Sequence, residues 1–320
     1  KCTAVGFNAA AVSTATNQTV MGYDALRNCT TGKENTAIGV EAMFTCTTGT
    51  ENVAVGYYSL YSLTTGSYNT AVGGNGCLSS LTTGNYNTAV GRQCGTSLTT
   101  GTENVAVGNH ALDTCTTGHE NVAVGYDALT AVTTGGGNVG VGEKAGYQLT
   151  TGNNNVYIGI QAGRNHNTGD NSVFIGNDPI PTTGDMDDQI ILGNSSTGAI
   201  RCQVQTISSL SDERDKTEII DSVYGLDVIN SIKARQFKWA IRVDQEAMYP
   251  VSKNNGKVEL GFIAQELNTA LGDKNDIVKI VDNTNPDKLE ASYGKLIPVL
   301  TKAIQELSAE VEQLKSQLNN

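Results

Sequence analysis

The sequence is poor in histidine, proline and tryptophan, and it has no excess of basic residues. Of its 320 residues, 3 are histidine, 5 are proline and 1 is tryptophan, while 32 acidic residues outnumber 21 basic ones. The net charge of -11 argues against nucleic acid or an anionic membrane as the main partner, since neither attracts an acidic protein. No apolar run approaches the roughly 20 residues that cross a bilayer, so we predict no membrane insertion.

Patterns that hold metals or cofactors are also missing. There is no CxxC, the calcium-binding GGxGxDxUx repeat is absent, and His110, His119 and His166 have no spacing suited to a metal. We therefore predict no metal and no cofactor, and we expect these histidines at the surface. The chain starts at Lys1 rather than methionine and shows no signal-peptide pattern, which indicates a piece of a longer protein.

A short repeat dominates the first part of the sequence. Segments such as TTGTENVAVG and TTGNYNTAVG recur 17 residues apart, as from Gly32 to Gly49, with one interval of 18. The alternation in NVAVG is typical of a strand, and a second apolar segment such as YYSLYSL indicates another. Two strands and two turns in so few residues exclude a βαβ unit. We predict a mainly β fold, a parallel β-solenoid or β-roll of about twelve coils over residues 1–195.

Two columns of residues predict how the coils stack. Alanine in the middle of each strand faces away from the flanking valines, and this stripe predicts a surface on which neighbouring chains pack. The alternative is that alanine tolerates a crowded coil. Asparagine at one turn position predicts a hydrogen-bonded amide ladder. The alanine column is Ala37, Ala54, Ala71, Ala89, Ala106 and Ala123, and the asparagine column is Asn35, Asn52, Asn69, Asn87, Asn104 and Asn121.

The cysteines follow the same register. Cys29, Cys46 and Cys115 take a slot that other coils fill with leucine or valine, Cys77 is assigned a leucine place, and Cys94 an alanine place. Each is therefore predicted to be a small buried hydrophobic residue. A disulfide framework is not predicted for so regular a solenoid, although a bridge between Cys29 and Cys46, one coil apart, stays open.

The strand motif resembles the head repeats of trimeric autotransporter adhesins, whose Asn-Ser-Val-Ala-Ile-Gly units form trimeric left-handed β-rolls. The nearest counterpart here is NSVFIG at 171–176. The resemblance implies a trimeric rod over roughly residues 1–195. The repeat of 17 residues is longer than the commonest form of those heads.

Beyond a junction at 196–210 the composition becomes that of a small α/β domain, 211–320. SVYGLDVINSIKA has helical apolar spacing, RQFKWAI alternates as a strand does, and VELGFIAQELNTAL indicates a strand followed by a helix. The last segment has a heptad seam and predicts a self-associating coiled coil over 296–320. The seam consists of Leu300, Ile304, Leu307, Val311, Leu314 and Leu318.

The stretch SSLSDERDKTEI at 208–219 places Ser211 five residues before Lys216. No histidine follows His166, which excludes a Ser-His-Asp triad confined to the C-terminal domain. A lysine can act as the base instead where burial keeps it neutral near pH 7. The spacing alone does not distinguish such a site from a polar linker.

SDERDKTEI resembles the Ser-Asp-x-Arg-x-Lys-x-x-Ile opening of the intramolecular chaperone domain at the C-termini of endosialidases and other tailed-phage fibres and spikes. KARQFKWAI, GFIAQEL and ASYGKLIPVL continue the resemblance in the same order. Members trimerise, assist folding of the β-structured part ahead of them, and then cut themselves off. The resemblance implies Ser211 as nucleophile, Lys216 as general base, Leu210–Ser211 as the scissile bond, and Asp212 and Arg214 as positioning residues. A histidine that some members carry before GFIAQ is missing here.

These features predict the distal part of a trimeric phage-type tail fibre or spike on the virion surface. It would serve structure and host attachment, with a glycan or protein receptor, and its C-terminal domain would be a single-turnover, self-cleaving serine endopeptidase. Two alternatives stay open: an extracellular bacterial trimeric adhesin carrying the same module, and an uncleaved trimerisation domain. A glycan-degrading spike requires paired carboxylates about 5 to 9.5 Å apart. The acidic residues here fall at repeated turn positions instead.

Overall fold

The computed structural model describes residues 2–181, 185, 187–194, 196–197, 216–238, 257–283 and 289–319. The chain divides into two compact units, Lys1–Cys202 and Gln203–Asn320. Most of the first unit is the solenoid, and the second is a small mixed domain.

The solenoid is one parallel sheet of twelve strands in sequence order, each strand paired with the next. Partners such as Val53 and Thr70 are one coil apart, so the coils stack in register with about 11 turns. This confirms the predicted parallel β-solenoid. The strands are β1 Thr3–Val5, β2 Thr19–Met21, β3 Thr36–Ile38, β4 Val53–Val55, β5 Thr70–Val72, β6 Thr88–Val90, β7 Val105–Val107, β8 Val122–Val124, β9 Val139–Val141, β10 Val156–Ile158, β11 Val173–Ile175 and β12 Ile190–Leu192.

The second apolar segment of each coil is a series of turns, and the prediction of a second strand there is wrong. In the fourth coil Tyr58 and Leu60 have φ values of 60° and 51°, in the left-handed region. Left-handed residues at alternate positions break an extended chain. They also turn Leu60 into the coil, where it is fully buried.

The alanine column lies inside the coils, so the prediction that it packs against neighbouring chains is wrong. Ala54 and Ala71 are fully buried within their own chain, whereas the flanking valines Val53 and Val55 face outward. The physical reason is the narrow coil interior. A Cβ added at Gly140, in the same column, would lie 2.7 Å from Cγ of Leu129 on the opposite wall, so only a small side chain fits opposite a leucine.

The asparagine column forms the predicted amide ladder. Asn104 donates from its side-chain amide to Oδ1 of Asn87 at 3.0 Å and to the carbonyl of Gly118 at 2.9 Å. Its own Oδ1 accepts from the backbone and side-chain amides of Asn121 at 3.1 and 3.2 Å. The ladder satisfies buried polar groups that water does not reach, so it should stabilise each coil on the next.

We expect Asn104→Ala to destabilise the solenoid strongly. The substitution leaves the Gly118 carbonyl and the Asn121 amides without their partner in a buried position, at a cost of about 1–3 kcal/mol for each group. Thermal and denaturant unfolding should show a lower free energy of unfolding, whereas Thr117→Ala, at an exposed position of the neighbouring turn, should change it little. Equal stability of the two variants would show that the ladder contributes nothing.

In two coils near the end of the solenoid, a large aromatic residue replaces the small strand residue, and glycines replace large residues on the opposite wall. Tyr157 and Phe174 replace the strand alanine and stack with centroids 5.4 Å apart, and a Cβ added at Gly163 on the opposite wall would overlap the Tyr157 ring. His166 takes the position three residues before the turn glycine, where the preceding coil has Leu149. It is fully buried, and its Nδ1 lies 2.7 Å from the Tyr157 hydroxyl. The predicted surface position of His166 is therefore wrong.

Five cysteines are buried hydrophobic residues as predicted, and all of them are free thiols. Burial raises the pKa of the Cys115 thiol to about 11, as expected of an inert interior cysteine. The place assigned to Cys77 is wrong. The extra residue of its coil moves Leu78 into the column of Leu60 and leaves Cys77 in the column of Ala42, Ser59, Cys94 and Ala111, as the hydrogen bonds Leu60 N to Cys77 O and Leu78 N to Cys94 O show.

The small domain confirms the predicted order of helices and strands. Its core contains Val228, Leu267, Leu271 and Ile280. The hairpins β13–β14 and β15–β16 are antiparallel. The elements are α1 Leu226–Ser231, β13 Arg235–Lys238, β14 Val258–Gly261, α2 Ala264–Leu271, a 3-10 turn Gly272–Lys274, α3 Asn275–Val278, β15 Val281–Asp282, β16 Glu290–Ala291, a 3-10 turn Tyr293–Lys295, and α4 Leu296–Leu318.

Helix α4 has two apolar faces. Leu296, Val299 and Ala303 are buried against the domain. The predicted heptad seam lies on other positions, and each of its six residues is exposed, from 43% for Leu300 to 85% for Leu318. Among the described residues no helix is long and apolar enough to cross a membrane.

Candidate processing site in the C-terminal unit

Four of the five predicted site residues, Leu210, Ser211, Asp212 and Arg214, lie outside the described residues. Lys216 is the first described residue after that gap, and its side chain is exposed. The roles assigned to these five residues therefore stay predictions. What the structure does describe is the segment that follows Lys216 and the framework built by the other three motifs.

The segment after Lys216 is irregular and exposes apolar side chains. Residues 217–224 have no helix or strand, and Ile219, Ile220 and Val223 are 64%, 85% and 74% exposed. A lysine that acts as a base must be shielded from water, because hydration favours its charged form. The described part of a single chain leaves the Lys216 side chain exposed, so it does not provide the shielding that a general base at this position would need.

The three remaining motifs meet around Gly261. A Cβ added at this glycine would lie 2.9 Å from Oη of Tyr293 and 3.1 Å from the ring of Phe237, so only glycine lets both rings approach β14. The backbone amide of Phe262 donates to the Tyr293 hydroxyl at 3.1 Å, and the two rings meet edge to face with centroids 5.5 Å apart. The segments RQFK, GFIAQ and ASYGK therefore pack against one another within the domain.

A bidentate ion pair joins β13 to α2. Arg235 donates from Nε and an Nη to the two carboxylate oxygens of Glu266 at 2.7 and 2.9 Å. Hydrogen bonding to Arg235 holds the pKa of Glu266 below its usual value, and the same contact raises the pKa of Arg235. Both groups face solvent, so the pair fixes the orientation of α2 more than it adds stability.

A second contact joins α1 to α4. The Glu306 carboxylate accepts the backbone amide of Leu226 at 2.7 Å, at the start of α1, where backbone donors have no partner within the helix. A Cβ added at Gly225 would lie 2.5 Å from that same carboxylate. The sequence analysis missed Glu306, because its contact partner is 80 residues away and no local pattern marks it.

An open cleft of about 400 Å³ lies beside the Arg235–Glu266 pair and includes Ser231 and Lys233. The Ser231 hydroxyl donates to the Val228 carbonyl at 2.8 Å, in the last turn of α1. The Ser231 hydroxyl is thus engaged within its own helix. In the described ranges there is also no group of three or more histidine, cysteine or acidic side chains placed to hold a metal ion.

Residues 211–276 match the model of the family described as chaperone of endosialidase. The match begins at Ser211, includes Lys216, and extends into α3, which confirms the resemblance predicted from the motifs. It spans about a fifth of the chain and leaves the solenoid outside. No curated protein and no solved structure matches the chain.

Proposed function

We propose that this chain is the distal part of a homotrimeric phage-type tail fibre or spike, displayed on the virion surface. The solenoid forms the rod and takes part in attachment to a host receptor, and residues 211–320 are an intramolecular chaperone that assembles the rod and then releases itself. The supporting observation is that the chaperone of endosialidase match starts at residue 211, directly downstream of a twelve-stranded β-solenoid.

The release reaction needs only residues at the junction. Neutral Lys216 accepts the hydroxyl proton of Ser211 as Oγ attacks the Leu210 carbonyl carbon, the Leu210–Ser211 amide bond breaks, and the freed amine takes up the proton. The product is an ester between Leu210 and the Ser211 side chain. Water hydrolyses this ester to a carboxylate at Leu210 and a hydroxyl at Ser211. Because nucleophile and substrate belong to one chain, proximity replaces a substrate pocket and each chain reacts once.

Assembly of the copies shields Lys216, whose side chain is exposed in the described part of a single chain. The exposed side chains of Ile219, Ile220 and Val223 lie within seven residues of it, and burying them against other copies removes water from the same segment. Cleavage then follows trimerisation, which protects an unassembled chain from losing its chaperone.

The outward face of the sheet supports association of identical chains. In β2 to β11 the middle residue is buried and the two flanking residues point outward. No outward residue of the twelve strands is charged, and such a long apolar strip marks an interface. A partner with the same coil spacing, which means another copy, can cover it from end to end. We call this strip the valine face; its third-position residues are Val5, Met21, Ile38, Val55, Val72, Val90, Val107, Val124, Val141, Ile158, Ile175 and Leu192.

Intact mass, denaturing gel mobility and native mass of freshly expressed protein test the proposal. We expect fragments of residues 1–210 and 211–320, and a rod of three copies of the first fragment. A trimer that stays whole would favour the permanently attached trimerisation domain. A monomer that stays whole would contradict both the assembly and the processing.

A further inference from the structure

The one interruption of the repeat creates an open notch on the side of the rod. The fifth coil has 18 residues because of an insertion at Gly74 and Asn75, both exposed. Gly74 follows β5 as Tyr57 follows β4, and a Cβ added at Gly74 would have no atom within 4 Å apart from those of its chain neighbours Gly73 and Asn75. The space next to Tyr57 along the rod axis is therefore empty, where other coils carry a side chain.

A continuous aromatic stack ends at this notch. The Arg27 guanidinium lies 5.9 Å from the centre of the Phe44 ring, and Phe44 stacks on Tyr61 with centroids 5.4 Å apart. Tyr58 stacks on Tyr61 at 4.8 Å, and Tyr57 meets Tyr58 at 4.2 Å with a tilt of 44°. Rings fixed by such contacts lose little freedom on binding, and Tyr57, the last of them, is half-exposed.

The polar groups around the notch favour a neutral ligand. Hydrogen bonding to the Tyr57 hydroxyl and the Glu41 carboxylate raises the pKa of Tyr58 to about 12. The Glu41 carboxylate therefore lies beside these rings and supplies a negative charge there. Arg27, the cation of the stack, is paired with Asp24 at 3.4 Å. Arg92, which is exposed and follows β6 as Tyr57 follows β4, adds a positive charge on the far side of the notch, so Glu41 and Arg92 together leave it without a net charge that would select an ionic sugar. The exposed amide of Asn75 and the phenol hydroxyls instead suit the hydroxyl groups of an uncharged sugar.

We propose that the notch at Tyr57 and Gly74 is a binding site for neutral pyranose units of a surface glycan. The apolar face of the sugar ring lies on Tyr57, and its hydroxyl groups bond to the Asn75 amide and the Glu41 carboxylate. This assignment rests on the proposed attachment role of the rod and names the receptor class it uses.

The test is binding of the assembled protein to dextran and galactan, two neutral pyranose polymers, with polysialic acid as the anionic comparison. We expect retention by at least one neutral polymer and none by polysialic acid. Tyr57→Ala and Gly74→Leu should each weaken binding by about tenfold or more, the first by removing the ring and the second by filling the empty space without backbone strain. Tyr126→Ala, in the same column four coils beyond Tyr57 and 47% exposed, is the matched control and should bind as the wild type does.

Three outcomes would overturn the assignment: no binding to either neutral polymer, preference for polysialic acid, or equal loss from Tyr57→Ala and Tyr126→Ala. Thermal unfolding of each variant checks that the rod stays folded. Self-cleavage and native mass are measured on the same samples. Intact processing and trimerisation without glycan binding would reject the notch alone, whereas loss of both in the wild type would reject the proposed function.

Discussion

Replacing Ser211 by alanine is expected to abolish the split into residues 1–210 and 211–320. Alanine has no nucleophilic atom, and loss of a nucleophile from a serine hydrolase costs at least about 10⁴-fold in rate. Intact mass over a time course of days should show only the full chain. Ser209→Ala, two positions earlier in the same stretch, is the matched control and should be processed like the wild type.

Variants of Lys216 distinguish a role as general base from a role as a positive charge. Lys216→Arg keeps the charge but cannot accept a proton near neutral pH, so it should be as inactive as Lys216→Ala. Cleavage of Lys216→Arg at the wild-type rate would contradict general-base catalysis by this side chain. Cleavage of Ser211→Ala at the same bond would reject Ser211 as the nucleophile and place the chemistry elsewhere.

The sequence predicted the solenoid because its period leaves few alternatives. Each coil must satisfy its backbone hydrogen bonds with the coil above and below, so a repeated Asn-x-Ala-x-Gly pattern specifies strand, turn and ladder together. The side of the sheet on which alanine lies was mistaken, because alternation shows that two faces exist and not which one is inside. The width of the coil decides which face is inside. Ala54 leaves room for a leucine from the opposite wall, whereas a side chain as large as that of Val53 would not leave this room if it pointed inward.

Exchanges between opposite walls of a coil were beyond the sequence analysis. Tyr157 occupies a place where the earlier coils have alanine or glycine, apart from Val20 in β2, and it fits because Gly146 and Gly163 stand in the column of Leu60 and Leu129. His166 is buried because its ring fills a leucine slot and bonds to the Tyr157 hydroxyl. Such compensation depends on which residues face each other across the interior of a coil. A repeat pattern at a single coil position does not show these pairs.

In the small domain the motifs predicted the resemblance to a family, but they did not predict which of their residues make packing contacts. Their order in the sequence predicted the resemblance to the chaperone of endosialidase family, and residues such as Gly261 and Tyr293 carry packing contacts. The two residues with predicted chemistry, Ser211 and Lys216, are marked by the motif alone. The chemistry of Ser211 and Lys216 therefore stays a prediction from the motif, and the described structure shows the packing of the other three motifs.

Two charges on the valine face are expected to prevent assembly of the rod. Val107 and Val124 lie one coil apart, point outward and are partly exposed in the single chain. If three copies meet on this face, Val107→Glu with Val124→Glu places six carboxylates in an apolar interface, at a cost of several kcal/mol for each buried charge. Native mass should shift from trimer to monomer, and the coil fold should persist because both side chains face away from the interior.

The matched control carries the same two charges on exposed turns of the coils, away from the strands that form the valine face. Thr100→Glu with Thr117→Glu changes two exposed residues one coil apart and should leave the native mass unchanged. Loss of assembly in both double variants would point to net charge rather than to the face. A trimer that survives Val107→Glu with Val124→Glu would show that the copies meet on another surface. The exposed heptad seam of α4 is the next to test, with Ile304→Asp and Val311→Asp as the variants.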